Sequence, residues 1–139
     1  MQILQAKLKE QLKLCFEVMK ELRPHHSLES FFTVMEQMAN EGYQLWYIED
    51  EGQAVCTAGF RITTTLYDGP IIDFDDFVTI SGARNKGYAG LLFDHLVSIA
   101  KEKNIKTIHL NSNHRRFDAH RFYLNKKMNI VAHHFRVEV

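Results

Sequence analysis

The sequence is poor in the residues that would commit it to an unusual class. Only two cysteines, Cys15 and Cys56, occur in 139 residues. Both fall in apolar surroundings, one on an expected helix and one on an expected strand. They read as buried free thiols, which argues against a disulfide or a metal pair. Charge of one sign is not in excess, because 17 lysines and arginines balance 17 aspartates and glutamates. That balance argues against broad electrostatic binding to nucleic acid. No apolar run approaches the roughly 20 residues of a transmembrane helix. The first residues show no basic stretch leading into an apolar one, so a signal peptide is not expected. A reducing, cytoplasmic setting follows as the expectation. The eight histidines show neither H-E-x-x-H nor ordered Cys/His spacing, and no metal is expected. Repeats and linkers are missing as well. The length therefore suggests one domain over residues 1–139, large enough to bury a core.

What is present is an alternation of two periodicities. Met1–Gln5 reads as a short strand. Leu4, Leu8, Leu12, Cys15, Met19 and Leu22 step by three or four, one face of a helix that Pro24 stops near Arg23. His25-His26 is expected in an exposed loop. Ser27 is a helix cap, and Leu28, Phe31, Phe32, Met35 and Met38 line the helix that follows, ending near Asn40–Gly42. That stripe suits core packing or one wall of an acceptor pocket between the two helices. Tyr43–Ile48, Ala54–Leu66 and Ile71–Ile80 read as three antiparallel strands, turned at Glu49–Gly52 and at Asp68-Gly69-Pro70. Gly59 is expected to weaken or bend the middle strand. A helix over about 86–103, a strand at Lys106–Leu110, a helix from about Arg115 to Lys126 and a last strand over Ile130–Val139 complete a mixed α+β layer structure with a central sheet.

The stretch from Phe77 to Leu92, FVTISGARNKGYAGLL, has the most chemical content. A buried strand enters a turn of small residues and then the first turn of a helix. The opening amides of a helix have no internal partners and sit at the positive end of its dipole, a ready site for a phosphate or pyrophosphate. Gly87, Ala89 and Gly90 allow close approach to the backbone. Neither the G-x-G-x-x-G spacing nor a Gly-Lys-Ser/Thr loop is present. What is present is Arg84-x-x-Gly87-x-Ala89 after Val78-Thr79, which resembles the acetyl-CoA signature R/Q-x-x-G-x-G/A of the GCN5-related N-acetyltransferases. Ala119-x-x-Phe122-Tyr123 resembles the A-x-x-F-Y of the same family. The element order is similar over nearly the whole chain.

The resemblance implies the family fold: a central, mixed but mostly antiparallel sheet, splayed between two strands, with helices on both faces. It implies acetyl-CoA as co-substrate. The diphosphate would lie on the amides of Asn85, Lys86, Gly87, Tyr88, Ala89 and Gly90, with Arg84 beside them. The pantetheine arm would follow the edge of Val78, Thr79 and Ile80, one of whose amides would donate to the thioester oxygen. Tyr123 matches the position whose phenol protonates the leaving thiolate. The base is open. Asp73, Asp75 and Asp76 stand in an otherwise apolar strand; alternation places Asp73 and Asp75 on one face and Asp76 on the other. Asp75 and Asp76 are the candidates, directly or through water, against the alternative of capping a strand end or pairing with Arg61. His109 and Asn111 share a face and suit either ligand contact or core hydrogen bonding. The chain departs from the family at Lys127, where glycine would close the helix with positive φ, and at Met128, Arg116 and Ser81. The expectation is acetyl transfer to a primary amine, small or protein-borne. The alternative is an acyl-CoA-binding module without catalysis. The final strand would offer an edge for a homodimer.

Overall fold

The computed structural model describes Met1–Val139. Residues Met1–His109 form one compact unit and Leu110–Val139 a second. In chain order the elements are β1 (Gln2–Gln5), α1 (Lys9–Leu22), α2 (Leu28–Asn40), β2 (Tyr43–Asp50), β3 (Gln53–Thr65), β4 (Gly69–Thr79), a 3-10 turn at Ser81–Ala83, α3 (Tyr88–Glu102), β5 (Thr107–Leu110) and α4 (Phe117–Asn125). Each helix boundary has a local cause. Gln11 turns its side-chain oxygen back to the Lys7 and Leu8 amides at 2.9 Å and opens α1. Ser27 accepts from the Ser30 amide at 3.1 Å and opens α2, as its residue type predicts. Past the end of α3, Asn104 takes φ 56°. The Asn104 and Ile105 amides then return to the carbonyls of Lys101 and Ala100. That Schellman pair satisfies carbonyls the helix would otherwise leave open.

The five strands lie in the order β1-β2-β3-β4-β5. The pairs β1–β2, β2–β3 and β3–β4 are antiparallel. Glu51 and Gly52, at φ 51° and 75°, form the two-residue turn between the Asp50–Gln53 pair. Both positive angles match the twist of the strands it joins. β5 follows β4 through the crossover helix α3, as a parallel neighbour must. It is four residues long against eleven in β4. His109 in β5 reaches Asp68, in the turn before β4, at 2.9 Å. β5 therefore flanks the opening residues of β4.

The sheet is covered on both faces. Cys15, Val18 and Met19 of α1 and Phe31 and Met35 of α2 join Tyr43, Leu45, Tyr47 and Val78 in one core. On the other face Phe74 meets Phe60, Phe77 and the α3 ring of Phe93, with centroids 5.5–6.2 Å apart. Cys15 and Cys56 are fully buried and unpaired, as expected.

In β4 the register slips: Gly59 faces Asp76, but Phe60 faces Phe74. Asp75 is the extra residue of a β-bulge. The bulge reverses the phase of the strand. Phe74 points toward α3, whereas Val78, four residues on, joins the α1 core. The strict alternation expected for Asp73, Asp75 and Asp76 is thereby corrected.

In the second unit, α4 ends in another Schellman motif. The Lys127 amide bonds to the Leu124 carbonyl at 2.9 Å and the Met128 amide to the Tyr123 carbonyl at 3.1 Å. Lys127 holds φ 62°, the conformation that glycine would adopt freely. A non-glycine residue there costs about 1 kcal/mol. Lys127→Gly is therefore expected to raise stability by about 0.5–1 kcal/mol, read as a higher denaturant midpoint at unchanged slope.

The last strand expected over Ile130–Val139 is not formed. Residues 129–139 carry no regular element, and Ile130, Val131, Phe135, Val137 and Val139 are each at least 80% exposed. Arg136 and Glu138 pair at 3.2 Å within it. Alternation prepares a strand, but a strand exists only when another backbone takes up its amides and carbonyls. The edge expected for a homodimer is accordingly not a strand here.

Candidate active site

The β4 bulge organises the site of the first unit. It turns Asp76 under α1 while Asp75 stands out at the same place. Both line a cleft of about 380 Å³ bounded by α1, α2 and the start of β2. Asp76, 8% exposed, has both oxygens engaged. Arg23 Nε donates to Oδ1 at 2.9 Å, and the Tyr43 hydroxyl donates to Oδ2 at 2.7 Å. Burial, followed by the Asp76 carboxylate, holds the Tyr43 phenol well above its ordinary range, so it remains a donor.

Tyr43 starts β2 and Asp76 lies on β4, so the phenol must cross β3. It does so over Gly59, which pairs with Asp76 across β3 and β4. A Cβ at Gly59 would sit 1.7 Å from the Tyr43 hydroxyl oxygen and 2.2 Å from Cζ. The glycine expected to weaken the strand is thus the passage through which the phenol reaches the carboxylate.

Asp75 differs from its neighbour. Its side chain is 37% exposed, with Arg61 Nε 3.2 Å away. That nitrogen is at ion-pair distance without the alignment of a hydrogen bond. Arg61 also reaches Glu41 at 3.2 Å. Burial raises the Asp75 carboxyl above its ordinary value, with Arg61 opposing. Of the two carboxylates lining the cleft, Asp75 is the one with proton-accepting capacity left, because Asp76 is occupied by two donors. Asp73 is not part of the cleft lining. Burial raises it too, while His109 and Arg61 oppose.

At the end of β4 the backbone sets out its donors. The Ile80 amide donates to the Val55 carbonyl at 3.0 Å, so it faces β3. Alternation along the ladder sends Val78 the same way and Thr79 to the outer edge. The Thr79 carbonyl there accepts from Arg84 Nε at 3.2 Å. Of the three amides expected to meet a thioester, Thr79 is the one that alternation turns to the outer edge.

The turn that follows is held from α1. Glu21 accepts from the Ser81 amide at 3.0 Å and its hydroxyl at 2.9 Å, and pairs with Arg84 at 3.3 Å. Arg84 is thus turned back toward α1. Asn85 at φ 62° and Gly87 at φ 84° bend the chain into α3. The helix consequently starts at Tyr88, two residues later than expected. Its first internal bond is Leu91 to Gly87 at 3.1 Å. The amides of Tyr88, Ala89 and Gly90, three of the six from Asn85 to Gly90 expected to face a diphosphate, precede that bond and have no partner within the helix. Tyr88 fastens this end to the β2–β3 turn through Asp50.

In the second unit Tyr123 is the buried residue of α4, at 8% exposure. His109 of the first unit is hydrogen-bonded to Asp68 rather than turned to the cleft. His25 and His26, expected in an exposed loop, lie with tilted rings 4.4 Å apart and line the cleft. Phe31 and Met35 both fill the core and form the cleft wall. Periodicity and spacing point to Gly59 only as a weak place in β3, and assign Tyr43 and Arg23 no part in a site. The signal available was a glycine in the middle of a long strand beside a strand with adjacent aspartates.

The profile of the Acetyltransferase (GNAT) family matches residues 7–128. An uncharacterized N-acetyltransferase of Bacillus subtilis, YhdJ, is 28% identical over 119 residues, 85% of this chain and 84% of its own length. Among solved structures, a putative acetyltransferase from Agrobacterium tumefaciens superposes with a TM-score of 0.84 at 19% identity, over 100% of both chains. An aminoglycoside N-acetyltransferase, AAC(6')-Iy, in complex with CoA superposes at 0.86 with 14% identity, over 99% of this chain and 93% of that one. The two superpositions establish a shared fold.

Proposed function

Because the chain belongs to the GNAT acetyltransferase family, we propose that it moves an acetyl group from acetyl-CoA to a primary amine by direct attack in a ternary complex. The observation that supports this most is the end of β4. A strand edge at Thr79 runs into a left-handed Gly87 and three helix-opening amides. That sequence of donors suits a thioester followed by a diphosphate. Lys86 adds an exposed cation to the same turn.

In the reaction the amine nitrogen forms a bond to the thioester carbonyl carbon, and the carbon–sulfur bond breaks. The amine's proton passes to Asp75, directly or through water. The Thr79 amide donates to the carbonyl oxygen as negative charge develops on it. Tyr123 returns a proton to the CoA thiolate, the role its motif position implies. Asp76 holds Tyr43 and Arg23 in place beside Asp75 and takes no proton.

The test is release of CoA thiol from acetyl-CoA across an amine panel. Turnover is expected, with Tyr123→Phe lowering kcat by about 100-fold at unchanged CoA affinity. CoA binding with no turnover on any amine would overturn the reading in favour of an acyl-CoA-binding module. Failure to bind CoA at all would overturn both.

A further inference from the structure

The cleft beneath α1 and α2 has two chemically unlike ends, and together they select an acceptor. Its inner wall is apolar: Met19, Phe31 and Met35 are at most 7% exposed and line the space. Its floor is the bulge with Asp75 and Asp76. The charges joined there by contact are three carboxylates, Asp75, Asp76 and Glu41, and two guanidiniums, Arg23 and Arg61. Three negative less two positive leaves one negative charge. The rim carries Lys20 and Arg23 with His25 and His26.

Resting on the acetyl-transfer reading, we infer that this cleft takes a primary amine on an uncharged apolar body, a monocation of arylalkyl or alkyl type. One ammonium balances the surplus charge at Asp75, and the Met and Phe wall receives the body. Methionine is unbranched and adapts to rings and chains alike. A polyamine or aminoglycoside would bring further ammonium groups against an apolar wall, and the carboxylates that could meet them are taken, Glu17 by Lys20 and Asp76 by Arg23. An α-amino acid would place its own carboxylate beside Asp75. Both cations beside it are already engaged: Arg61 by Asp75 itself and by Glu41, each at 3.2 Å, and Arg23 by Asp76 and the Asp75 carbonyl, at 2.9 and 3.1 Å.

The experiment uses the intact chain labelled with 13C at its methionine methyls. Of the five methionines, Met19, Met35 and Met38 line the cleft, and the other two serve as reference signals. 2-Phenylethylamine is titrated without cofactor, with spermidine and phenylalanine as comparators at equal concentration. The expected result is saturable shifts of the three cleft methyls with 2-phenylethylamine, and at least tenfold weaker binding of the other two. Val34, exposed on the cleft wall, supplies the variant. Val34→Asp is expected to weaken the monoamine about tenfold, the equivalent of losing one buried Val contact, and Val34→Leu to preserve it. Spermidine or phenylalanine binding as tightly as 2-phenylethylamine would overturn the inference, as would cleft methyls that respond to none of the three. Acetyl-CoA is titrated separately. A chain that takes the monoamine but not the cofactor sinks the transferase reading and leaves the cleft assignment standing. A chain that acetylates spermidine in preference does the reverse.

Discussion

Replacing Gly59 by alanine is expected to destabilise the chain by about 2–3 kcal/mol and to remove most of its acceptor binding. The new methyl occupies the place of the Tyr43 hydroxyl, so the ring must leave. Asp76 then keeps Arg23 but loses the donor on its second oxygen. A buried carboxylate oxygen without a partner accounts for about 1–3 kcal/mol, and forced repacking for the remainder. The displaced ring has the cleft to move into, because Tyr43 already forms part of its wall. Denaturant unfolding measures the first effect. The double variant Gly59→Ala/Tyr43→Ala separates causes, since truncating the ring removes the clash and the two losses should fall well short of additive. Wild-type stability in Gly59→Ala alone would refute the crossing of Tyr43 over β3.

Asp75→Asn is expected to lower kcat/KM by about a thousandfold without lowering stability. The base must be ionised, so activity should rise with pH through the Asp75 titration. Burial raises that carboxyl, which places the acidic limb above where a free aspartate would put it. The linkage has the opposite sense for folding. A group whose folded pKa is raised holds its proton more tightly in the folded chain. Stability from it is therefore present below the unfolded value and declines as pH rises through the folded one. The asparagine variant escapes that decline, and Arg61 retains Glu41 as a partner. A variant that loses activity and stability together would mark Asp75 as a structural residue, and a variant of near-normal activity would move the base elsewhere.

Much of this was legible in the residues because the governing rules are local. Helix stripes, the Ser27 cap, the Glu51-Gly52 turn and the Asn104 stop depend on neighbours within a few positions, and each appears where its spacing places it. The start of α3 falls at Tyr88, two residues past its expected place, because Asn85 and Gly87 take positive φ. The cleft was legible only in part. The two aspartates were visible, but their common orientation depends on a bulge, and a bulge is a property of two strands in register. The pairing of Tyr43 with Asp76 spans three strands and leaves only a glycine as its trace. The Ile130–Val139 segment failed for the converse reason: its local pattern is that of a strand, yet strand formation depends on a partner that the pattern does not supply.

The two sealed cysteines give the protein a built-in timer. Burial pushes the Cys56 thiol up to about 11 and Cys15 higher still, so reactive thiolate at pH 8 is about one part in a thousand or less. An aryl disulfide dye added to the native chain has nothing to capture until the core opens. With dye in enough excess that capture outpaces reclosing, its colour grows at the rate at which molecules visit the open state, and two labels per chain record how long the fold stays shut.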